Sequence, residues 1–176
     1  MEETESPYEP EPRSEAAFMA LSEVAWSYRV DGVEPTDLPM IAAEALAAEL
    51  ESPALCELAG LGRGDDVRDL RDLFEQALAE TGIELPNPDL AWRYALRRLA
   101  ARIVEEGVPL AEVASGSWWD VVAETEEERK FVSLMPQCAC CMVYALGFDD
   151  EKRWTSEVRA VAIVLNSSPV RVGPAR

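Results

Sequence analysis

Three aspartates in the first half of the sequence have a spacing that could bind a metal ion. Asp65, Asp66 and Asp69 occupy positions i, i+1 and i+4 at a predicted helix start. Carboxylates hold Mg²⁺ against substrate phosphates in many enzymes, and this is the chemistry that the three residues could serve. On a helix, however, they share one face only partly, and acids also collect at helix N-termini because the macrodipole favours them there. A magnesium site and a solvated helix start are therefore the alternatives.

The run from Asp65 to Asp69, Asp-Asp-Val-Arg-Asp, resembles the aspartate-rich motif of isoprenoid synthases. This resemblance implies a metal-dependent enzyme that acts on a phosphorylated substrate through an Asp-rich helix. In that family the motif lies in a much longer helical protein and works with a second metal-binding motif, which this sequence lacks. A metal-dependent enzyme is thus the alternative function, and we assign no catalytic residue.

Thiols are the other candidate ligands, because the sequence contains no histidine. The absence of histidine excludes Ser-His, Cys-His and paired-His schemes. Cys138, Cys140 and Cys141 could bind zinc with Cys56 as a distant fourth ligand, but zinc-binding cysteine pairs usually leave two to four residues between them. Cysteine is also among the most frequently buried residue types. We therefore favour a small-residue helix contact over metal or redox chemistry, and we expect no metal and no cofactor.

The net charge of −18 restricts the partners of the protein. A field of this sign repels phosphate backbones and anionic lipids, which argues against direct binding to nucleic acid or membranes, and it attracts basic proteins. The competing explanation is that the negative charge only keeps the protein soluble. No apolar stretch is long enough to span a bilayer, and an acidic N-terminus is unlike a signal peptide. We expect a cytoplasmic protein with reduced thiols.

Two adjacent tryptophans followed by acids form the predicted partner-binding site. Adjacent residues of a helix point about 100° apart, so one of Trp118 and Trp119 could face a partner while the other packs inside. The predicted site contains Trp118, Trp119, Asp120, Glu124, Glu126 and Glu127. Its function would be to bind a basic protein, and an immunity-like or inhibitory role is the sharper form of this hypothesis. A structural homo-oligomer, with an exposed apolar patch around the tryptophans, is a third hypothesis.

Capping signals and apolar periodicity predict a series of helices. The predicted N-caps are Ser14, Asp37, Ser52, Asn87 and Thr125, and an acid-rich start at Asp65 opens a further helix. Arginines at positions 93, 97, 98 and 102 form a basic face, for which pairing with acidic helices inside the fold is the simplest use. The β-branched run 158–165 is compatible with a helix or a strand. We favour a helix, because no other segment would complete a sheet.

These elements predict an all-α fold, a single-domain helical bundle of about six to eight helices around one core. Residues 1–13 are predicted to be a disordered acidic tail, residues 14–166 the helical domain, and residues 167–176 a flexible C-terminal tail. The segment from Ile41 to Pro86 also resembles small acidic helical proteins of high-GC bacteria. That resemblance implies a helical fold and a bacterial cytoplasmic setting, and it implies no activity.

Overall fold

A computed structural model of the protein describes residues 12–62, 64–108, 113, 118, 121–135, 148–168 and 172–173. Within these ranges the chain contains helices and no strand, which confirms the all-α prediction. The helices are α1 (Pro12–Tyr28), α2 (Leu38–Ala47), α3 (Pro53–Ala59), α4 (Val67–Glu80), α5 (Pro88–Glu105), α6 (Glu126–Ser133) and α7 (Phe148–Asn166), with a 3-10 turn at Pro35–Asp37. The run 158–165 is helical, as favoured, within the longer α7. None of these helices is both long and apolar enough to cross a membrane.

Side-chain caps begin three of the helices where the sequence predicted them. The Ser52 hydroxyl accepts a hydrogen bond from the amide three residues later at 3.2 Å, and the Asn87 side chain accepts one from the amide two residues later at 2.8 Å. The Thr125 hydroxyl accepts from the Glu128 amide at 3.1 Å, and Glu128 completes the reciprocal capping box. Each cap satisfies a backbone N–H that has no partner within its helix.

The predicted N-cap of α1 was wrong. The helix begins at Pro12, so Ser14 lies inside its first turn. Proline is well suited to the first helical position, because its fixed φ is helical and its missing N–H would have had no intrahelical acceptor. The predicted acid-rich start of α4 is two residues early, since Asp66 is the N-cap and the helix begins at Val67.

The helices belong to two compact units, of which the first has its described residues in 12–86. Its core contains Phe74 and Leu78 of α4, Leu38 of the second helix and the leucines of α3, all essentially inaccessible to solvent. The ring of Tyr28 lies 4.9 Å from that of Phe74 at an interplanar angle of 59°. Such tilted aromatic pairs add to the stabilisation that burial provides.

A carboxylate of α4 holds the start of α3. Glu80 Oε2 accepts hydrogen bonds from the Ser52 hydroxyl at 2.6 Å and from the Ala54 amide at 2.9 Å. These two bonds, with a third from Gln76, lower the pKa of Glu80. An anion at a helix N-terminus is favourable, so this contact orients α3 against α4.

Tyr28 should titrate at unusually high pH. Burial and a 2.9 Å hydrogen bond from its hydroxyl to Glu75 raise its pKa from 10.0 to about 12. Because the folded-state value is the higher one, the stability from this group is complete below pH 10 and is lost as pH rises towards 12. When the ultraviolet absorbance of tyrosinate is followed as pH rises, Tyr28 should contribute a late step near pH 12. We expect Tyr28→Phe to remove this step. In Glu75→Gln the step should move to lower pH, whereas a Tyr28 that titrates normally in the folded protein would contradict the assignment.

The second unit has its described residues in 87–173 and contains a separate hydrophobic cluster. The cluster joins Leu96 of α5, Phe131 of α6, and Ala162 and Leu165 of α7, all with no exposed surface. One core was expected from the length of the chain, and two are present in the described residues. Each unit buries its own apolar helix faces. The boundaries predicted at residues 13 and 166 stay predictions.

Candidate partner-binding site

A buried carboxylate fixes the position of α6 in the second unit. Glu128 has no exposed surface, and its side chain accepts hydrogen bonds from Arg93 Nε at 3.1 Å and from Arg97 Nε at 2.9 Å. The same carboxylate accepts from the amides of Glu124 and Thr125 at 3.0 and 3.2 Å. Glu128 therefore caps its own helix and holds it on α5. Arg93 and Arg97 pair inside the fold, as the basic face of α5 was predicted to do.

Arg93 joins a second carboxylate to this network. Its Nη1 atom lies 2.6 Å from Oε2 of Glu124, and the Arg93 side chain is only 5% exposed. Glu124, a predicted partner-binding residue, therefore has a partner inside the protein, although 61% of its side chain remains exposed. The network carries two guanidinium and two carboxylate charges, so it is neutral overall.

The hydrogen bonds of Glu128 keep it ionised. Burial by itself would raise its pKa, but the bonds from Arg93, from the Glu124 amide, from Arg97 and from the Thr125 amide outweigh burial and lower the pKa. The carboxylate is thus a permanent negative charge at neutral pH. It has a structural role, because its hydrogen bonds hold α6 on α5 and cap the start of α6.

A surface groove lies between α6 and α7 beside this network. Its volume is about 280 Å³. It is lined by Glu126, Glu127 and Lys130 of α6 and by Ala160, Val161 and Val164 of α7. The groove has an apolar floor and two acids in the first turn of α6. Two of the predicted partner-binding residues, Glu126 and Glu127, therefore lie together at the rim of one concave surface.

Between residues 160 and 165, α7 is apolar on its solvent-exposed face and also on the face that packs into the core. Residues 160–165 are six consecutive apolar residues, and six residues reach around a whole helix. Val161, Ala162 and Leu165 are buried, whereas Ile163 and Val164 are 47% and 57% exposed. Ala160 is exposed on the same side as these two. This exposed face was not predicted from the sequence. Its signal was the uninterrupted apolar run, since a helix that is apolar on all sides normally has all of its sides covered.

The structure describes one residue of the predicted tryptophan pair, Trp118. Trp118 is half-buried against the core of the second unit, and its indole N–H donates to the Val113 carbonyl at 2.9 Å. A tryptophan that is packed and hydrogen-bonded in this way supports the core. Trp119 and Asp120 lie outside the described residues. The structure thus brings together Glu126 and Glu127 with α7, a helix that the predicted site did not include.

The aspartates considered for magnesium have local structural roles. Asp66 accepts a hydrogen bond from the Arg68 amide at 2.8 Å as the cap of α4, and Asp65 accepts one from the Gly62 amide at 2.6 Å. Asp69 is an exposed residue of the first turn of α4. No three acids or cysteines in the described ranges are arranged to hold a metal ion. Cys56 is exposed, and Cys138, Cys140 and Cys141 lie outside those ranges.

A second groove, between α1 and α2 of the first unit, differs in charge. It has a volume of about 370 Å³ and is lined mainly by alanines, with Leu21, Val24 and Ile41. Among the residues that the structure describes, its ionisable lining residues are Arg13 and Glu44, which have opposite charges. The described lining of this groove therefore has no excess of acid, and the described lining of the α6–α7 groove matches the charge of a basic partner better.

Comparison of the chain with protein-family models, with curated proteins and with solved structures found no match. The function must therefore be argued from the geometry of the chain itself.

Proposed function

We propose that this protein is an acidic helical binding module whose partner is a basic protein, bound at the groove between α6 and α7. The observation that carries the proposal is the position of Glu126 and Glu127 beside the exposed apolar side chains of α7. Exposed apolar side chains that are grouped in a groove and rimmed by polar groups are a feature of protein interfaces, whereas scattered ones are ordinary. Acids at the rim select a partner that carries lysine or arginine around an apolar centre.

The net charge and the local acids act at different distances. The charge of −18 attracts basic proteins over a long range at low salt. At physiological salt the screening length falls to about 8 Å, so only charges near the contact still discriminate between partners. Glu126 and Glu127 lie at the groove, whereas most of the other acids do not. This arrangement predicts binding that is weakened, and made less selective, when these two carboxylates are neutralised.

An inhibitory, immunity-like role is the specific form of this function. A basic protein surface is often one that binds nucleic acid, and an acidic module on that surface competes with the phosphates. We place this function in the bacterial cytoplasm, in line with the reduced thiols expected from the sequence and with the resemblance of residues 41–86 to small acidic helical proteins of high-GC bacteria. Neutralisation of a partner in this way requires binding alone and no catalytic group.

Paired neutralising variants should locate the binding site. We expect the intact protein to capture basic proteins from a lysate at low salt and to release them at high salt. In Glu126→Gln/Glu127→Gln this capture should fall by about fivefold or more, because each lost rim contact weakens binding by up to about 1 kcal/mol. The matched control is Glu23→Gln/Glu57→Gln, which removes the same two charges from exposed positions in the first unit. The readout is the amount of each captured protein by mass spectrometry.

The control separates local binding from general attraction. Equal losses in the two double variants would show that total charge alone attracts the partner, and the groove would then have no role. Capture of no basic protein at low salt would contradict the proposed function itself. For a captured protein that binds nucleic acid, addition of the intact protein should displace the nucleic acid, and failure to do so would remove the inhibitory role.

A further inference from the structure

The groove between α6 and α7 also indicates which part of a basic partner it binds. We infer that its occupant is an amphipathic, basic α-helix, whose apolar side chains lie on Ala160 and Val164 and whose lysines or arginines contact Glu126 and Glu127. This inference rests on the proposed function, since it names the partner segment for the same site.

The apolar floor has the dimensions of a helix contact. Ala160 and Val164 are four residues apart on α7, and Ile163 extends the exposed face by one more position at helical spacing. Side chains spaced three or four residues apart on one helix form ridges that fit into the grooves of a second helix. A partner helix with apolar anchors at i, i+3 and i+7 would cover this face, which is the recognition mode of helices in grooves.

The lining of the groove argues against a small molecule. None of the described residues that line it is a buried polar group, whereas specific ligand sites usually fix orientation with a few such groups. Its volume of about 280 Å³ is at the lower limit of typical ligand pockets, which begin at roughly 300 Å³. The groove suits aliphatic side chains that project from a larger partner.

Charge argues against a second copy of this chain. A symmetric dimer would place the same patch of both copies together, so Glu126 and Glu127 would approach Glu126 and Glu127 of a second copy in a chain of net charge −18. Lys130, one turn further along α6, is the only basic residue among the described residues that line the groove. A basic helix complements the two acids and is repelled by this lysine.

A synthetic peptide tests the inference directly. The probe is a helical peptide of about fifteen residues with leucines at i, i+3 and i+7 and lysines beside them. The control peptide has the same composition with its leucines spread around the helix. We expect the intact protein to bind the probe about tenfold more tightly than the control peptide, measured by fluorescence anisotropy at physiological salt. Equal affinities would overturn the inference, because general attraction between opposite charges predicts no difference.

Substitution of Lys130 should increase the affinity. Lys130→Glu removes the one repulsive charge of the groove, so the probe should bind about threefold more tightly or better. The matched control is Arg29→Glu, an exposed residue of the first unit whose substitution changes the net charge equally. A similar gain in both variants would show that the peptide responds only to total charge, and would count against the groove.

Substitution of Val164 tests the apolar floor. Val164→Asp places a charge at a position that is 57% exposed, and it should reduce probe binding about tenfold while the helical circular dichroism is kept. Met40→Asp, at a position 63% exposed in the first unit, is the control and should bind as the intact protein does. If capture of basic proteins from a lysate requires Glu126 and Glu127 but the affinity for the probe does not change in Val164→Asp, the inference of a helical occupant is wrong and the proposed function stands. If neither the capture nor the probe affinity depends on residues of the groove, both the inference and the proposed function are wrong.

Discussion

Replacement of Glu128 by glutamine is expected to lower the free energy of unfolding by about 3 to 5 kcal/mol, since removal of one partner from a buried ion network leaves its other charges uncompensated. The isosteric amide keeps the size of the side chain and removes its charge. Arg93, 5% exposed, would then keep only the partly solvated Glu124, and Arg97, 12% exposed, would lose the carboxylate charge that it contacts. The measurement is urea denaturation followed by circular dichroism, with hydrogen exchange of the α6 amides as a local readout.

The neighbouring residue provides the control for this substitution. Glu127→Gln changes the same chemical group one position earlier on α6, at the rim of the groove, and should shift the stability by no more than about 0.5 kcal/mol. A loss below about 1 kcal/mol in Glu128→Gln would show that the network contributes little to the fold. In that event the position of α6, and with it the groove, would depend on Phe131 and the apolar contacts alone.

The effect of Glu128 should depend on pH in a defined direction. Its folded-state pKa is lowered from 4.5, so the stabilisation is complete above the unfolded-state value and is lost as pH falls through the folded-state value. The difference in stability between the intact protein and Glu128→Gln should therefore be constant near neutrality and shrink below pH 4.5. A difference that grew on acidification would contradict the assignment of a buried, ionised carboxylate.

The second large effect concerns the first unit. Phe74→Ala should lower the free energy of unfolding by about 3 to 5 kcal/mol, because it removes a fully buried ring and leaves a cavity. The substitution also removes the partner of the Tyr28 ring. The control is Met40→Ala, at a position 63% exposed in the same unit, which should change the stability by about 0.5 kcal/mol or less. Urea denaturation measures both, and similar values for the two variants would contradict the placement of Phe74 in the core.

The elements were predictable from local signals. Helices begin after Ser52, Asn87 and Thr125, because the side-chain oxygen of each residue accepts a hydrogen bond from one of the first amides of the helix. Proline or acids follow each cap, and these signals act locally, independently of the rest of the chain. The basic face of α5 in an acidic protein indicated internal pairing. Ser14 was wrong as a cap because Pro12, two residues earlier, is compatible with the first helical position.

The candidate site was predictable only in part. Glu126 and Glu127 were included in it because they follow the tryptophan pair in an acidic segment. The contribution of α7 was not foreseen, since periodicity shows that a helix has an apolar face but not which of two apolar faces is covered. Arg93 and Glu128 are 35 residues apart, and no local rule selects that pair from the many arginines and acids of the chain.

The sequence by itself determined the helical class, most of the helix starts and a net charge that favours basic partners. These follow from backbone capping, apolar spacing and composition, which act within a few residues or sum over the whole chain. The tertiary structure alone decided that the described residues form two cores, that Glu128 is buried between two arginines, and that Val164 remains exposed beside Glu126 and Glu127. The physical reason is that burial depends on which helices pack together, and packing joins residues that are distant along the chain.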